Sequence, residues 1–321
     1  MRAVQITSLD GPSALEVVDV DEPGGDGMVL IDVHAAGVTF PEVLQSRGQY
    51  QLKPPLPFTP GSEVAGVVRS APEGSGFSAG DGVAAFPGLG GFAEVAAAMP
   101  QAVFRLPDSV SFEAGAGLPM NYLTMHFALV RRGGLQAGET VLVHGAAGGI
   151  GTAAVQLAKA LGATVIAVTS SDEKAEIARR AGADTVVGSE GFKDAVKEAT
   201  GGKGVDVVVD PVGGDRFTDS LRSLAREGRL LVIGFTEGAI PEVKVNRLLL
   251  NNIAVVGVGW GAFWMPQPNY LQEQWADLQP HVESGALDPV IGASFPLDEA
   301  AKAVSSLDER QALGKVVLTV R

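Results

Sequence analysis

His144-Gly145-Ala146-Ala147-Gly148-Gly149-Ile150-Gly151 is the stretch of this chain best suited to hold a phosphate. It follows Thr140-Val141-Leu142-Val143, a short apolar run entered from Gly138-Glu139. It leads into a segment apolar at Ile150, Ala153, Ala154, Leu157, Ala158 and Leu161 and closed by Gly162. That spacing predicts a buried strand, a tight turn and a helix. A helix N-terminus offers unpaired N–H groups and the positive end of its dipole, and glycines let a ligand approach the backbone. Ala147, Gly148, Gly149, Ile150 and Gly151 are therefore expected to cradle a pyrophosphate. Two frames fit the dinucleotide fingerprint: Ala146-x-Gly148-x-x-Gly151, with Ala in the place of the first Gly, and Gly149-x-Gly151-x-x-Ala154. A glycine turn that merely opens an αβ unit would show the same letters.

The chain downstream is informative about the ligand. Thr164 to Val168 reads as a second strand, and an NAD site would carry Asp or Glu near its end to accept the ribose hydroxyls. This chain has Thr169-Ser170-Ser171 there, then Lys174 and, further on, Arg179 and Arg180. Neutral hydrogen-bonding groups beside a cation suit a 2′-phosphate, so Ser170, Ser171 and Lys174 predict NADPH in preference to NADH. Asp172 and Glu173 weigh against this. Alternatively, one of the serines caps the next helix and Lys174 is solvated, a role compatible with the first.

Thr185 to Val187, Val205 to Asp210 and Arg229 to Ile233 complete a βαβαβ alternation, which predicts a doubly wound parallel sheet in an α/β protein. The last two runs end in Pro211-Val212-Gly213-Gly214 and Gly234-Phe235-Thr236. Such sheets bind ligands at strand carboxyl ends, so Gly213, Gly234 and Phe235 are expected at the cofactor, with Val258 where the chain leaves this domain. Residues 1 to about 122 differ: short strand candidates such as Leu15 to Val18 and Val29 to Val33 are punctuated by Gly and Pro, as in a barrel-like β domain. The expected division is 1–122, completed by about 262–321, and 123–261. The closing part should hold helices near Leu271 to Val282 and Leu297 to Leu307 and a strand from Val316 to Val320.

Length and composition limit the function classes. The 321 residues are 46% apolar and 19% charged with a net charge of −13, ordinary for a soluble globular protein and unfavourable for a nucleic-acid surface. With no cysteine there is no thiolate nucleophile, disulfide or Cys-ligated metal, and His34, His126, His144 and His281 show no metal-ligand spacing. Met1 to Ile6 alternates like a strand rather than a signal peptide, and no apolar run would span a bilayer, so a reducing cytoplasm is the expected location.

The ordered motifs Ala36-Gly37-Val38-Thr39-Phe40-Pro41, Arg47-Gly48-Gln49-Tyr50, Pro60-Gly61-Ser62-Glu63-Val64-Ala65-Gly66, Gly91-Phe92-Ala93-Glu94, Leu106-Pro107-Asp108, Ala146 to Gly151 and Gly314-Lys315-Val316-Val317 run through nearly the whole chain. Together they resemble the medium-chain dehydrogenase/reductase superfamily, and in detail its zinc-free quinone oxidoreductase (ζ-crystallin-like) branch. The resemblance implies a GroES-like catalytic domain beside a Rossmann domain that binds NADPH. Gly61-Ser62-Glu63 stands where zinc members carry Gly-His-Glu, so metal-assisted alcohol oxidation is not expected.

What the resemblance implies is hydride transfer from NADPH to a quinone or an α,β-unsaturated carbonyl, for which orientation and exclusion of water suffice. Tyr50 matches the Tyr of related enoyl-thioester reductases that is thought to supply or orient a proton. A phenol near pKa 10 is a poor acid at neutral pH, so an aromatic lid is the equal alternative. Thr39 stands where quinone reductases often have Asn, and Thr124 matches a family Thr near the nicotinamide. Phe40, Trp260, Phe263, Trp264 and Met265 are apolar candidates for the acceptor pocket, Phe40 and Trp260 foremost, although such residues are more often core. In the family the strand around Ile253 to Val258 pairs across a dimer, so a homodimer is expected. Two alternatives share the cofactor features: an enoyl-thioester reductase, and a non-catalytic NADPH-binding structural or RNA-binding protein of the ζ-crystallin kind.

Overall fold

The computed structural model describes residues 1–321. The chain forms two compact units, one of residues 1–121, 268–279 and 291–321, the other of 122–267 and 280–290. Residues 280–290, placed by the sequence with the first domain, group with the second. Gln156 is one reason: its amide nitrogen donates to the Asp288 carbonyl at 2.6 Å, and its Oε1 accepts from the Asp288 amide at 3.1 Å and the Tyr122 hydroxyl at 2.5 Å.

In the first unit β1 (Arg2–Ile6) and β2 (Leu15–Asp19) form an antiparallel ribbon. There follow β3 (Val29–Val38), α1 (Phe40–Ser46), β4 (Glu63–Ser70), β5 (Gly82–Ala85), β6 (Val95–Ala98), β7 (Val103–Arg105), α2 (Phe112–Gly115) and α3 (Pro119–His126), the last of which belongs to the second unit from Tyr122 on. The strand expected at Val29 to Val33 thus runs on to Val38. Its first half alternates between buried and half-buried residues, whereas its last four are all buried because both faces are covered. Between Ser111 and Arg132 the chain forms α2 and α3, separated before Pro119, and Phe127–Arg132 winds as a π-helix.

The second unit contains β8 (Thr140–Val143), α4 (Gly149–Ala160), β9 (Thr164–Thr169), α5 (Asp172–Arg180), β10 (Thr185–Gly188), α6 (Phe192–Ala199), β11 (Val205–Asp210), α7 (Phe217–Ser223), β12 (Leu224–Val232), α8 (Asn246–Asn251), β13 (Ala254–Gly257) and α9 (Trp260–Trp264). Its six strands lie in the order β10-β9-β8-β11-β12-β13. Every neighbouring pair is parallel. This is the doubly wound arrangement the alternation predicted, with the order reversing between β8 and β11. Val141, Leu142 and Val143 are wholly buried, the near-continuous apolar run that a sheet covered on both faces requires. β12 begins five residues before the expected Arg229, because Leu224 also pairs with Val205 before the chain irregularity ahead of Val207.

The chain then forms α10 (Tyr270–Glu283), β14 (Ile291–Pro296), α11 (Ala300–Asp308) and β15 (Lys315–Thr319). β14 and β15 join the first unit's sheet in the order β14-β15-β3-β4-β5-β7, and β6 pairs with the other half of β3. Each unit has its own apolar core. No helix is long and apolar enough to cross a membrane.

His144, at the end of β8, is a core residue. Its Nε2 lies 2.8 Å from the Ser220 hydroxyl of α7, and that hydroxyl gives its own hydrogen to the Arg216 carbonyl at 3.0 Å. Nε2 is therefore the protonated nitrogen of a neutral ring, which also meets Phe192 edge-on at 4.9 Å. Burial, with a smaller effect from Arg216, lowers its pKa to about 3. Because the folded value lies below the unfolded one, the associated stability is present above the unfolded pKa near 6.5 and is lost as the pH falls toward 3. The wild type should lose about 3 kcal/mol more than His144→Gln between pH 7 and pH 4, read from urea unfolding at each pH. Parallel losses in the two proteins would exclude this role for His144.

Candidate functional site

In the second unit the chain leaves β8, turns through Gly145 at φ +58° and enters α4 with Gly148 as N-cap. The amides of Gly149, Ile150 and Gly151, first in the helix, lack intrahelical acceptors, and Ala147 precedes them in the turn. A Cβ on Gly151 would stand 2.1 Å from the Gly145 carbonyl oxygen and 2.6 Å from the Ala146 Cα. Only glycine lets the helix start this close to the strand end, which is the part played by the third glycine of the fingerprint. The frame Ala146-x-Gly148-x-x-Gly151 accounts for it. The donor set and the close approach fit a pyrophosphate.

The neighbouring strand ends carry the other expected groups. Ser170 follows β9 and is exposed. Ser171 is the N-cap of α5, its hydroxyl accepting from the Lys174 amide at 3.3 Å, while the Lys174 ammonium donates to the Ser170 hydroxyl at 3.4 Å. The helix-cap role and a cation beside Ser170 thus hold together. Gly213 stands past β11, Gly234 and Phe235 past β12, and Val258 past β13, its amide donating to the Val232 carbonyl at 3.0 Å. All the expected cofactor residues but one therefore sit past the carboxyl ends of β8, β9, β11, β12 and β13. The exception, Thr124, is a buried residue of α3 in the same unit.

Asp210 ends β11 and was not singled out in the sequence. It is buried, and its Oδ1 accepts from the amides of Val212 and Gly213, both at 2.9 Å. Burial pushes its carboxyl up from the usual range, against those two bonds and the nearby Arg216. Trp260 opens α9 buried, its ring 5.7 Å from that of Trp264. Phe263 packs against Phe127 at 4.9 Å and lies under the Arg131 guanidinium at 4.5 Å. Met265 is 60% exposed.

In the first unit Thr39 is the N-cap of α1 and Phe40 its half-buried first residue. Thr39 and Glu42 form a capping box: the Thr39 amide donates to Glu42 Oε2 at 2.7 Å, and the Thr39 hydroxyl donates to the same oxygen. The other oxygen, Oε1, accepts from the Ser62 amide at 3.1 Å and the Ser62 hydroxyl at 3.0 Å. Glu42 is 1% exposed, and burial raises its pKa although these bonds and the charge of Lys315 oppose the rise. Beside it Glu63 pairs with Lys315, whose ammonium also donates to the Val38 carbonyl at 3.0 Å, and the other Glu63 oxygen takes the Met120 amide at 2.7 Å. Glu42 was not singled out in the sequence: neither its cap with Thr39 nor its bonds to Ser62, twenty residues on, was read there.

Tyr50 lies four residues past α1 and is half-buried. Its phenol is pushed above the ordinary value, first by burial and then by the negative charge of Glu42. That shift makes it a weaker acid than free tyrosine. No group of three or more His, Cys, Asp or Glu is gathered so as to hold a metal ion.

The family model for the alcohol dehydrogenase GroES-like domain matches residues 25–108, and that for zinc-binding dehydrogenases matches 149–279. Quinone oxidoreductase-like protein 2 of Rattus norvegicus is 40% identical over 324 residues, covering 100% of this chain and 92% of the relative. A probable oxidoreductase from Mycobacterium abscessus has a crystal structure similar at a TM-score of 0.91, with 48% identity and coverage of 100% of this chain and 99% of that one. The Escherichia coli quinone oxidoreductase, solved as a complex with NADPH, is similar at a TM-score of 0.89, with 30% identity and full coverage of both chains.

The Glu42 carboxylate depends on its donors. Replacing Ser62 by Ala leaves Oε1 with one bond in place of two and should cost about 1–2 kcal/mol in urea unfolding. An unchanged unfolding midpoint would show that the hydroxyl bond contributes nothing.

Proposed function

Because the chain belongs to the zinc-free quinone oxidoreductase family of the medium-chain dehydrogenases/reductases, we propose that it reduces a quinone or a related α,β-unsaturated carbonyl with NADPH, by hydride transfer without a metal. The observation that carries this reading is the alignment of a glycine turn, a Ser170–Lys174 pair and two small-residue turns along one edge of a parallel sheet. NADPH, when bound, supplies the hydride from its nicotinamide.

Each residue set has a task. Ala147, Gly148, Gly149, Ile150 and Gly151 hold the pyrophosphate through the start of α4. Ser170, Ser171 and Lys174 take the 2′-phosphate, with the ammonium as counter-charge. Gly213, Gly234, Phe235, Val258 and Thr124 line the nicotinamide half. Thr39, Phe40, Tyr50 and Trp260 are assigned to the acceptor, Phe40 and Trp260 for their apolar surface.

Tyr50 acts as a neutral hydrogen-bonding lid. Its raised pKa argues against releasing a proton in the reaction, and the reduced oxygen takes its proton from solvent. Ser62 stands where zinc relatives hold a histidine, and its hydroxyl, like that of Thr39, is committed to Glu42. This residue set supports the metal-free reading. A cytoplasmic location suits an enzyme that draws on reduced pyridine nucleotide.

Stopped-flow oxidation of NADPH and NADH tests the reading, with 9,10-phenanthrenequinone, 1,4-benzoquinone, a 2-alkenal and crotonyl-CoA as acceptors. Quinones should turn over with NADPH preferred. Lys174→Met should erase most of that preference, and Tyr50→Phe should keep kcat within about threefold, a difference under about 1 kcal/mol. Turnover confined to the thioester would replace the proposal with an enoyl reductase, and NADPH binding without oxidation would make it a binding protein.

The second unit also supports a homodimer. β13 ends the parallel sheet with an unpaired edge, and Ile240, Val245, Leu249 and Leu250, which precede it in the chain, are each at least 73% exposed. Open edges and apolar patches of this kind are normally covered. The 33.0 kDa chain should scatter light as a dimer, and Leu249→Asp with Leu250→Asp should return it to monomer. A wild-type monomer would refute the assembly.

A further inference from the structure

The turns that follow β11 and β12 are joined to one another. The Thr236 amide donates to the Pro211 carbonyl at 3.1 Å, the Glu237 amide to the Val212 carbonyl at 3.0 Å and the Gly214 amide to the Ala239 carbonyl at 3.3 Å. Gly213 adopts φ +69°, and a Cβ there would stand 2.9 Å from the Phe235 ring. The two turns are thus one piece of structure, and it lies outside the sheet.

Charge is concentrated on this piece. Arg216 follows the first turn at the start of α7, and its Nε stands 3.4 Å from Glu237 Oε2 of the second, both side chains about two-thirds buried at 28% and 32% exposure. The same guanidinium exerts its field on Asp210 and on His144. Asp210 anchors the first turn through the Val212 and Gly213 amides. One cation therefore faces two carboxylates, one of them buried, at the edge where a dinucleotide carrying several phosphate charges would bind. Without it, like charges would oppose each other across the joined turns and oppose the ligand.

We infer that Arg216 is a positioning residue for the cofactor: by balancing Asp210 and Glu237 it holds the joined turns that carry Gly213, Gly234 and Phe235 ready for NADPH. This rests on the proposed NADPH site. The Nε to Oε2 contact is a charge contact without hydrogen-bond alignment. A lysine should therefore serve nearly as well as arginine, and an uncharged side chain should not.

The test is the NADPH dissociation constant of the full chain by calorimetry, together with kcat at saturating NADPH and the melting temperature without cofactor. Arg216→Met should weaken NADPH at least tenfold while kcat stays within twofold, and Arg216→Lys should stay within threefold of wild type. Adding Glu237→Gln to Arg216→Met should recover at least a threefold part of the loss, since one uncompensated carboxylate is removed. Arg216→Met binding NADPH within twofold of wild type would overturn the inference, as would a loss confined to kcat or a Lys variant as weak as Met. Should the Met variant fail to fold, the Lys variant and Glu237→Gln with Arg216→Lys still decide, through NADPH affinity at the wild-type melting temperature. Wild type that does not bind NADPH would instead overturn the site on which the inference rests.

Discussion

A parallel sheet brings all its strand carboxyl ends to one edge, and the second unit depends on that constraint. With the order β10-β9-β8-β11-β12-β13, connections on either side of β8 run to opposite faces, so the turns after β8 and β11 diverge and leave room at that edge. Helices packed on both faces force the strands to be apolar, and Val141 to Val143 and Val207 to Val209 are wholly buried. Chemistry is then confined to the turns. The glycine turn, the Ser170–Lys174 pair and the joined turns after β11 and β12 all lie on this edge for that reason.

The first unit solves a different problem, that of a carboxylate taken out of water. An isolated buried carboxylate is costly, and the fold answers with two amides and two hydroxyls on the two oxygens of Glu42. Those donors come from the start of α1 and the start of β4, so the bonds carry the β3–β4 pairing, whose last partners are Gly37 and Glu63, on into the helix. The adjoining Glu63–Lys315 pair adds β15 to the same cluster. The polar center is built without any cysteine or histidine, and its geometry is set by side chains saturated with one another.

How much of this was legible in the sequence follows the range of each interaction. Local signals were readable: the strand, turn and helix around Gly148, a serine cap before the helix that follows β9, and the alternation of the first five strands; the sixth came only from the resemblance. The extension of β3 to Val38 was missed because Ala36-Gly37-Val38 lacks alternation, both faces being covered by elements distant in sequence. Residues 280–290 were assigned to the wrong partner because the deciding contacts are made by Gln156, more than a hundred residues away. The Ser62–Glu42 bonds and the charge balance at Arg216 were invisible for the same cause: they join residues whose proximity exists only once the chain has folded.

The electrostatics of the two units point to one chemical style. His144 beneath the phosphate turn is kept neutral by burial, Tyr50 is kept neutral by burial and the Glu42 charge, and Asp210 and Glu42 are both pushed toward their neutral forms. His144 and Tyr50 are shifted away from neutral pH, and the raised carboxyls of Glu42 and Asp210 are taken up by hydrogen bonds from backbone amides and hydroxyls. A reaction in which a hydride moves between two held carbons needs no proton-transfer group; it needs fixed orientation and the absence of competing acids. The buried polar groups therefore act by holding backbone turns and side chains in place, and the reactive electrons are left to the cofactor.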